Sequence, residues 1–342
     1  MIRKILAILL VLIVAGWLAF EEVKRRWEQP LTVPEQGFPV TVAAGDSLRK
    51  VVNSLHKDGV LPYPDLVVLY GRWTGVDQQI KRGEYLLPSR STAESLLLLL
   101  RSGKVVQYQV TLPEGITLAQ ALDILARENA LEQVLEGPAD GRILELVAPN
   151  GQPEGLFFPD SYQYSRGATD WDIVQRAHAQ MLVILEQEWQ GRAEDLPYET
   201  AYEALIMASI IERETGLPAE REEIAGVFVR RLLRGMRLQT DPTVIYGLGS
   251  SFDGNLKRKH LVDEGNPYNS YRHSGLPPTP IALPGRAAIH AALHPAAGDA
   301  LYFVARGDGG HVFSATLAEH EQAVRKYQLR RKKNYRSSPG QR

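Results

Sequence analysis

Two acids, Glu212 and Glu214, close the stretch ALIMASIIERETG at residues 204–216. Paired carboxyls commonly break glycosidic bonds, one serving as acid and the other as base or nucleophile. These two cannot flank one bond. Two residues apart on a helix, they diverge by roughly 200°, so at most one faces a given cleft. Glu214 has Ile210 and Ile211 at i−4 and i−3, whereas Glu212 has Ala208 and Ser209. Apolar surroundings disfavour the ionised form, which suits Glu214 to general acid work near neutral pH. Glu212 is left to pair with Arg213 or a neighbouring base, or to cap the local structure. Two acids that merely solvate a helix end fit the same pattern, and the pattern by itself favours that plainer use.

Other chemistries find less support. His290 and His294 lie four apart, with His311, Glu319, His320 and Glu321 downstream. That spacing puts two imidazoles on one helical face, as zinc sites require, but HExxH is missing and Pro295 ends the helix at once. His311 follows a Gly-rich turn and can equally satisfy backbone carbonyls. No metal is expected. Ser209 and Ser314 lack the G-x-S-x-G setting of a nucleophile. The chain has no Cys, which removes thiol chemistry and disulfides. A formal net charge of −1 gives no global signature of nucleic-acid binding.

The elements that must position Glu214 follow from hydrophobic patterning. Ala204 to Ile211 is apolar until Ser209. A surface helix would show a stripe, so this one is expected to be buried, its end emerging into a cleft. Far upstream, MIRK precedes ILAILLVLIVAGWLAF, residues 5–20, which lack any polar side chain. As a helix this run spans roughly 24 Å, slightly short of a hydrocarbon core of about 30 Å. No small-x-small site precedes EEVKRRW, so a membrane anchor is expected rather than a cleaved signal. Residues 1–4 form its cytoplasmic tail, although Lys24, Arg25 and Arg26 oppose that orientation.

Residues 21–39 read as a linker. In VTVAAGDSLRKVVNSL, Val40 and Val42 alternate as a strand, Gly45-Asp46 marks a turn and helix cap, and Leu48, Val51, Val52 and Leu55 share a helical face. VTLPEGITLAQALDIL, starting seventy positions later at Val110, repeats the strand–turn–helix unit. IKRGEYLLP reads as a turn into a strand, and STAESLLLLLRSG as a helix closed by a Gly cap. Residues 40–103 resemble a LysM carbohydrate-binding module, with GDSL opening a helix and GEYLLP closing as a strand; a spacer without sugar affinity fits equally. Residues 104–150 form a second strand–helix connector. From 151 to 328 aromatic and polar loops surround long helices, and LYFVA, GDGG and HVFS read as a hairpin. A basic tail, 329–342, follows. The expected fold is α+β: an N-terminal transmembrane helix, small LysM-like β-α modules and a larger mixed catalytic domain.

ASIIERETG, with RLQTDPTVIYGLG (237–249), NPYNSYRHSGLPPTPIALPG (266–285) and LYFVARGDGGHVFSATLAEH (301–320), resembles the endolytic murein transglycosylases. These are membrane-anchored enzymes that cut peptidoglycan glycan strands. The resemblance covers nearly the whole chain, including PEGLFFPDSYQY (153–164). It implies that the Glu before the hydroxyl residue in E-x-E-T, here Glu214 before Thr215, is the catalytic acid. It further implies that this one Glu protonates the oxygen between N-acetylmuramic acid and N-acetylglucosamine, then takes the proton of the muramic C6 hydroxyl. That hydroxyl closes on C1, leaving a 1,6-anhydro end. Gln239, Asp241 and Asn269 become candidate hydrogen-bonding groups for sugar, and Tyr246 and Tyr271 candidate ring platforms. Asp241 and Asn269 are also turn formers, and Tyr246 also fits a core position. The implied setting is the bacterial inner membrane with the catalytic domain in the periplasm. Peptidoglycan glycan strands are the implied substrate, peptidoglycan synthases (penicillin-binding proteins) the implied partners, and no cofactor is needed. Ending new glycan strands is the implied role. Two alternatives remain: a non-catalytic peptidoglycan-binding scaffold, and a metal-dependent wall hydrolase using the histidines.

Overall fold

A computed structural model describes residues 2–148 and 151–328; the basic tail lies outside them. The fold is mixed α+β. In order come α1 (Ile2–Glu28), β1 (Phe38–Val42), α2 (Leu48–Lys57), α3 (Pro64–Thr74), β2 (Gly83–Leu87), α4 (Ala93–Ser102), β3 (Gln107–Thr111), α5 (Leu118–Ala126), α6 (Gly141–Val147) and β4 (Ser161–Ser165). Then follow α7 (Asp170–Gln190), α8 (Ala201–Glu214), α9 (Arg221–Leu233), α10 (Asp241–Leu248), α11 (Arg258–Leu261), α12 (Arg286–Leu293), β5 (Tyr302–Ala305), β6 (His311–Ser314) and α13 (Leu317–Tyr327). The strands pair two by two, β1 with β2, β3 with β4 and β5 with β6.

The chain divides into two compact units. The first holds the residues up to Gln109 with 129–132 and 163–168. Its antiparallel pair sets Val40 opposite Tyr85 and Val42 opposite Gly83, and α2 lays Leu48, Val51, Val52 and Leu55 onto the core. Leu96, Leu97 and Leu100 of α4 complete it. The run 5–20 expected as an anchor is helical, as part of α1, but among the described residues no helix is long and apolar enough to cross a membrane, so the helix is shown and the membrane span is not. Leu9, Leu12 and Phe20 of α1 are exposed.

The second unit takes 110–128, 133–162 and the residues from Thr169 onward. The duplicated strand–turn–helix signature has the same local geometry in both copies. Gly45 and Gly115 each sit at φ +78°, a left-handed conformation that glycine adopts without steric cost. Ser47 accepts from the Lys50 N–H and Thr117 from the Gln120 N–H, satisfying free donors of the first helical turn. The cap therefore falls on Ser47 rather than on Gly45-Asp46; Asp46 instead accepts the Ala43 N–H at 3.0 Å and closes the turn.

The apolar run of α8 is explained by its neighbours: α7, α9, α10 and α12 all pack against it. Residues Ala204 to Ile211 are buried without interruption. A fully buried Ile contributes about 1.5–3 kcal/mol through area removed from water. The one hydroxyl in the run is satisfied internally, because Ser209 donates to the Ile206 carbonyl at 2.7 Å and accepts the Ile281 N–H at 2.9 Å. That second bond ties the 266–285 loop to α8. The loop is also fixed to the turn before α5, where Gly115 N–H donates to Leu283 O and Leu283 N–H to Ile116 O.

Candidate active site

Glu214 is the last residue of α8. Beyond it Thr215 is buried and extended, and its hydroxyl accepts the Leu217 N–H at 3.0 Å. The Glu214 Oε1 accepts a hydrogen bond from the hydroxyl of Thr240. Thr240 in turn is held rigidly: its N–H donates to Ser270 Oγ at 3.0 Å, and Ser270 Oγ lies 2.8 Å from Thr243 Oγ1. One residue earlier, Gln239 is exposed and holds φ +52°. A non-glycine residue there carries backbone strain, a feature that gathers at functional sites.

Burial pushes the Glu214 carboxyl up to about 7. The Thr240 bond opposes that rise, the neighbouring negative charge of Asp241 adds to it, and Arg231 pulls it back. Arg231 does not cancel the effect because its guanidinium is engaged elsewhere, donating to the Leu301 and Leu238 carbonyls at 2.7 Å each. Asp241 opens α10 and accepts the Tyr271 hydroxyl at 2.7 Å. Burial, followed by Asp241, raises the Tyr271 phenol. Glu214, Thr240, Asp241 and Tyr271 thus form one connected polar group.

Glu212 points the other way. Its Oε2 accepts the N–H of Gly285, the N-cap of α12, at 3.0 Å, and Arg221 lies 3.6 Å from Oε1. Arg213 is exposed and donates to the Gly115 carbonyl at 2.9 Å. The divergence expected for an i, i+2 pair is present.

The remaining sequence candidates separate. Tyr246 faces a different part of the unit, a cleft of about 760 Å³ lined also by Thr117, Gln120, Glu154, Arg213 and Tyr268. Glu214 does not line it. The first turns of α10 connect the two places, Asp241 lying by Glu214 while Pro242, Ile245 and Tyr246 wall the cleft. Asn269 is wholly buried. Its amide donates to the carbonyls of His260, Leu261 and Asp263, and its Oδ1 accepts the Tyr271 N–H. All its polar capacity holds the loop together, as a turn former does, and it positions Tyr271.

Glu154 was not singled out in the sequence. Burial pushes its carboxyl up to about 7, against hydrogen bonds from the Leu118 N–H at 2.9 Å and the Tyr246 hydroxyl at 3.1 Å. The available signal was an acid set between Pro153 and Gly155, immediately before the buried run Leu156 to Phe158. Thr240 was also missed, being a common residue with no motif of its own chemistry.

The histidines do not converge. His311 pairs with Glu220 at 2.8 Å, and His320 stacks on Tyr302. His290 and His294 stack with ring centroids 4.1 Å apart, and Glu188 joins them as a third potential donor. These groups already have partners. Glu188 accepts from Arg286 at 2.7 Å and meets His290 at 2.8 Å, while His294 Nε2 donates to the Gly191 carbonyl at 2.8 Å.

The chain is similar to proteins of named activity. It is 29% identical over 306 residues to the endolytic murein transglycosylase of Bacillus subtilis (strain 168), which covers 84% of each chain. It is 27% identical over 319 residues to the endolytic murein transglycosylase of Streptococcus pneumoniae (strain D39), covering 83% of this chain but only 57% of that longer relative. A 2.6 Å crystal structure of a YceG-like protein from Listeria monocytogenes matches with a TM-score of 0.54 at 28% identity, over 84% of this chain and 99% of the other. The model of the YceG-like family matches residues 40–326, which reaches into both units and includes every residue of the Glu214 group. On that match the chain belongs to the YceG-like family.

Proposed function

We propose that the chain is a lytic transglycosylase of peptidoglycan, with Glu214 as its single acid and base. The observation that carries this reading is a carboxyl at the end of a buried helix, raised to about 7 and oriented by Thr240. A group with that pKa retains its proton near neutrality and still ionises readily, as a general acid must. The proton of Glu214 passes to the oxygen joining N-acetylmuramic acid to N-acetylglucosamine, and the C1–O bond breaks. Positive charge develops at C1. Asp241, held by the Tyr271 hydroxyl and close enough to act on Glu214, is the negative charge that would stabilise it in this reading. The Glu214 carboxylate then removes the C6 hydroxyl proton, O6 bonds to C1, and a 1,6-anhydro end forms without water. The names of the B. subtilis and S. pneumoniae relatives support the same substrate.

Tyr246 and Tyr268, whose rings meet edge to face with centroids 4.8 Å apart, offer an aromatic wall for sugar rings in the 760 Å³ cleft. Gln239 and Tyr271 are the further candidates for contacts beside Glu214. Asn269 acts through the loop.

Residues 5–20 serve as a membrane anchor in this reading. The support is a helix whose apolar side chains Leu9, Leu10, Leu12, Ile13, Leu18 and Phe20 are all exposed, which only apolar surroundings would cover. The order β1, α2, α3, β2 with an antiparallel strand pair supports a LysM-like reading of 40–103. The catalytic unit then stands outside the cytoplasmic membrane, where synthases extrude new strands for it to cut.

Asp241 supports a second reading, since its carboxylate could direct water to C1 and make the reaction a hydrolysis. Mass spectrometry of the ends made from purified glycan strands separates the two. Ends lighter by one water than hydrolytic ends sustain the transglycosylase. Reducing ends overturn it in favour of hydrolysis.

A further inference from the structure

The end of α1 is built into the first unit. Arg26 lies over the Tyr63 ring, 4.8 Å from its centroid. Trp27 packs on Tyr70 at 4.3 Å, and Tyr70 meets Trp73 edge-on at 5.9 Å. Trp27 and Tyr70 also pack on the hydrophobic core of this unit. The last turn of α1 therefore meets α3 at Tyr63, its N-cap, and at Tyr70. Its inner face, Val67, Val68 and Gly71, is buried. Its outer face leaves Leu69 67% and Trp73 82% exposed, one helical turn apart and flanked by Arg72.

We propose that this Leu69–Trp73 face rests in the interfacial layer of the lipid bilayer, beside the point where α1 leaves it. The proposal rests on the anchor reading of residues 5–20. Trp27 stands seven residues after Phe20, about 10 Å farther along the helix axis, at the outer margin of the headgroup layer. The Trp27–Tyr70–Trp73 series continues from there across the surface of α3. Indole and phenol rings favour that layer, being apolar in body and polar at one edge. Basic residues lie along the series: Lys24, Arg25 and Arg26 follow the apolar run after Glu21, Glu22 and Val23, with Glu22 pairing Arg25 and Arg26, and Arg72 stands next to Trp73. Basic groups near a surface of anionic lipid are drawn to it. The first unit would then be held on the membrane by two contacts, the anchor helix and the α3 face, instead of swinging on a single tether.

The absence of native Cys allows a clean test. Single-Cys variants of the full chain, Leu12→Cys, Leu69→Cys, Trp73→Cys and Leu233→Cys, carry a nitroxide label. All four positions are exposed, so the fold is not put at risk. Each is reconstituted into bilayers of phosphatidylethanolamine and phosphatidylglycerol, and collisions with oxygen and with a water-soluble nickel complex are compared. The expected result is a label at Leu12 deep in lipid, a label at Leu233 in water, and labels at Leu69 and Trp73 several-fold protected from the nickel complex relative to Leu233. Labels at Leu69 and Trp73 as accessible as that at Leu233, with Leu12 in lipid, would overturn the docking and spare the anchor. A label at Leu12 in water would overturn the anchor and the docking with it. Protection at Trp73 that appears only when glycan strands are added would make the face a sugar platform and equally overturn the proposal.

Discussion

Thr240→Val should move the alkaline limb of the pH–rate profile. The Thr240 hydroxyl donates to Glu214 and so favours its ionised form. Removing the donor raises the Glu214 pKa. Hydrogen bonds to charged groups contribute about 1.5–3 kcal/mol, and one pKa unit corresponds to about 1.4 kcal/mol. The ceiling is therefore about 1–2 units. Glu214 keeps some exposure, so water replaces part of the lost bond and a rise of about one unit is expected. The acid must hold its proton to work, so activity falls as pH passes the pKa. With the parent limb at about 7, the variant should retain activity to about one pH unit higher. Helix α10 should survive, because Thr240 caps it without a side-chain hydrogen bond. The assay is glycan-strand cleavage followed across pH 5–9, with circular dichroism to confirm the fold. Glu154→Gln serves as control, since that carboxyl is also raised to about 7 but does not belong to the Glu214 group. A limb that stays in place or moves acidward in Thr240→Val, or a limb that disappears in Glu154→Gln, would refute the reasoning.

Glu214→Gln should also alter stability with pH. Its folded pKa is raised above the ordinary 4.5 to about 7, so the folded state binds more protons between these values and the parent loses stability as pH rises through that window. The loss approaches about 3 kcal/mol above it, and thermal melts should show Glu214→Gln stabilised near pH 8 and far less near pH 5. Ile210→Ala empties space in the fully buried α8 and should cost about 2–5 kcal/mol in urea unfolding. Asn269→Ala removes the donors to three loop carbonyls and should cost about 2–3 kcal/mol. Because Asn269 also holds the Tyr271 N–H, cleavage should weaken even where the fold persists, as turnover measured well below the melting temperature would show.

Local signals in the sequence carried much of the fold. The run from Ala204 to Ile211 announces a helix enclosed on every side, and α7, α9, α10 and α12 enclose it. Gly45 and Gly115, followed by Ser47 and Thr117, announce the same turn and cap twice. The greasier setting of Glu214 pointed to an acid that burial raises, to about 7; burial raises Glu212 as well, which its neighbours Ala208 and Ser209 did not announce. Tertiary partnerships were not legible. Thr240 reaches Glu214 from 26 residues away, and no periodicity encodes that meeting. Glu154 finds its hydrogen-bond partners Leu118 and Tyr246 36 and 92 residues away. Asn269 has the chemistry to bind sugar, yet three backbone carbonyls occupy its amide. Glu188 joins His290 across 102 residues, which is why spacing within 290–294 alone understated that cluster.

The central claim is that one carboxyl, that of Glu214, performs both proton transfers. The most direct measurement compares Glu214→Gln with Glu212→Gln on purified glycan strands, each checked for parent-like folding. Glu212→Gln should still form anhydro ends, since an amide oxygen can accept the Gly285 N–H that Glu212 now receives. Glu214→Gln should form none. Anhydro ends persisting in Glu214→Gln, or vanishing in a folded Glu212→Gln while Glu214→Gln still cuts, would contradict the assignment.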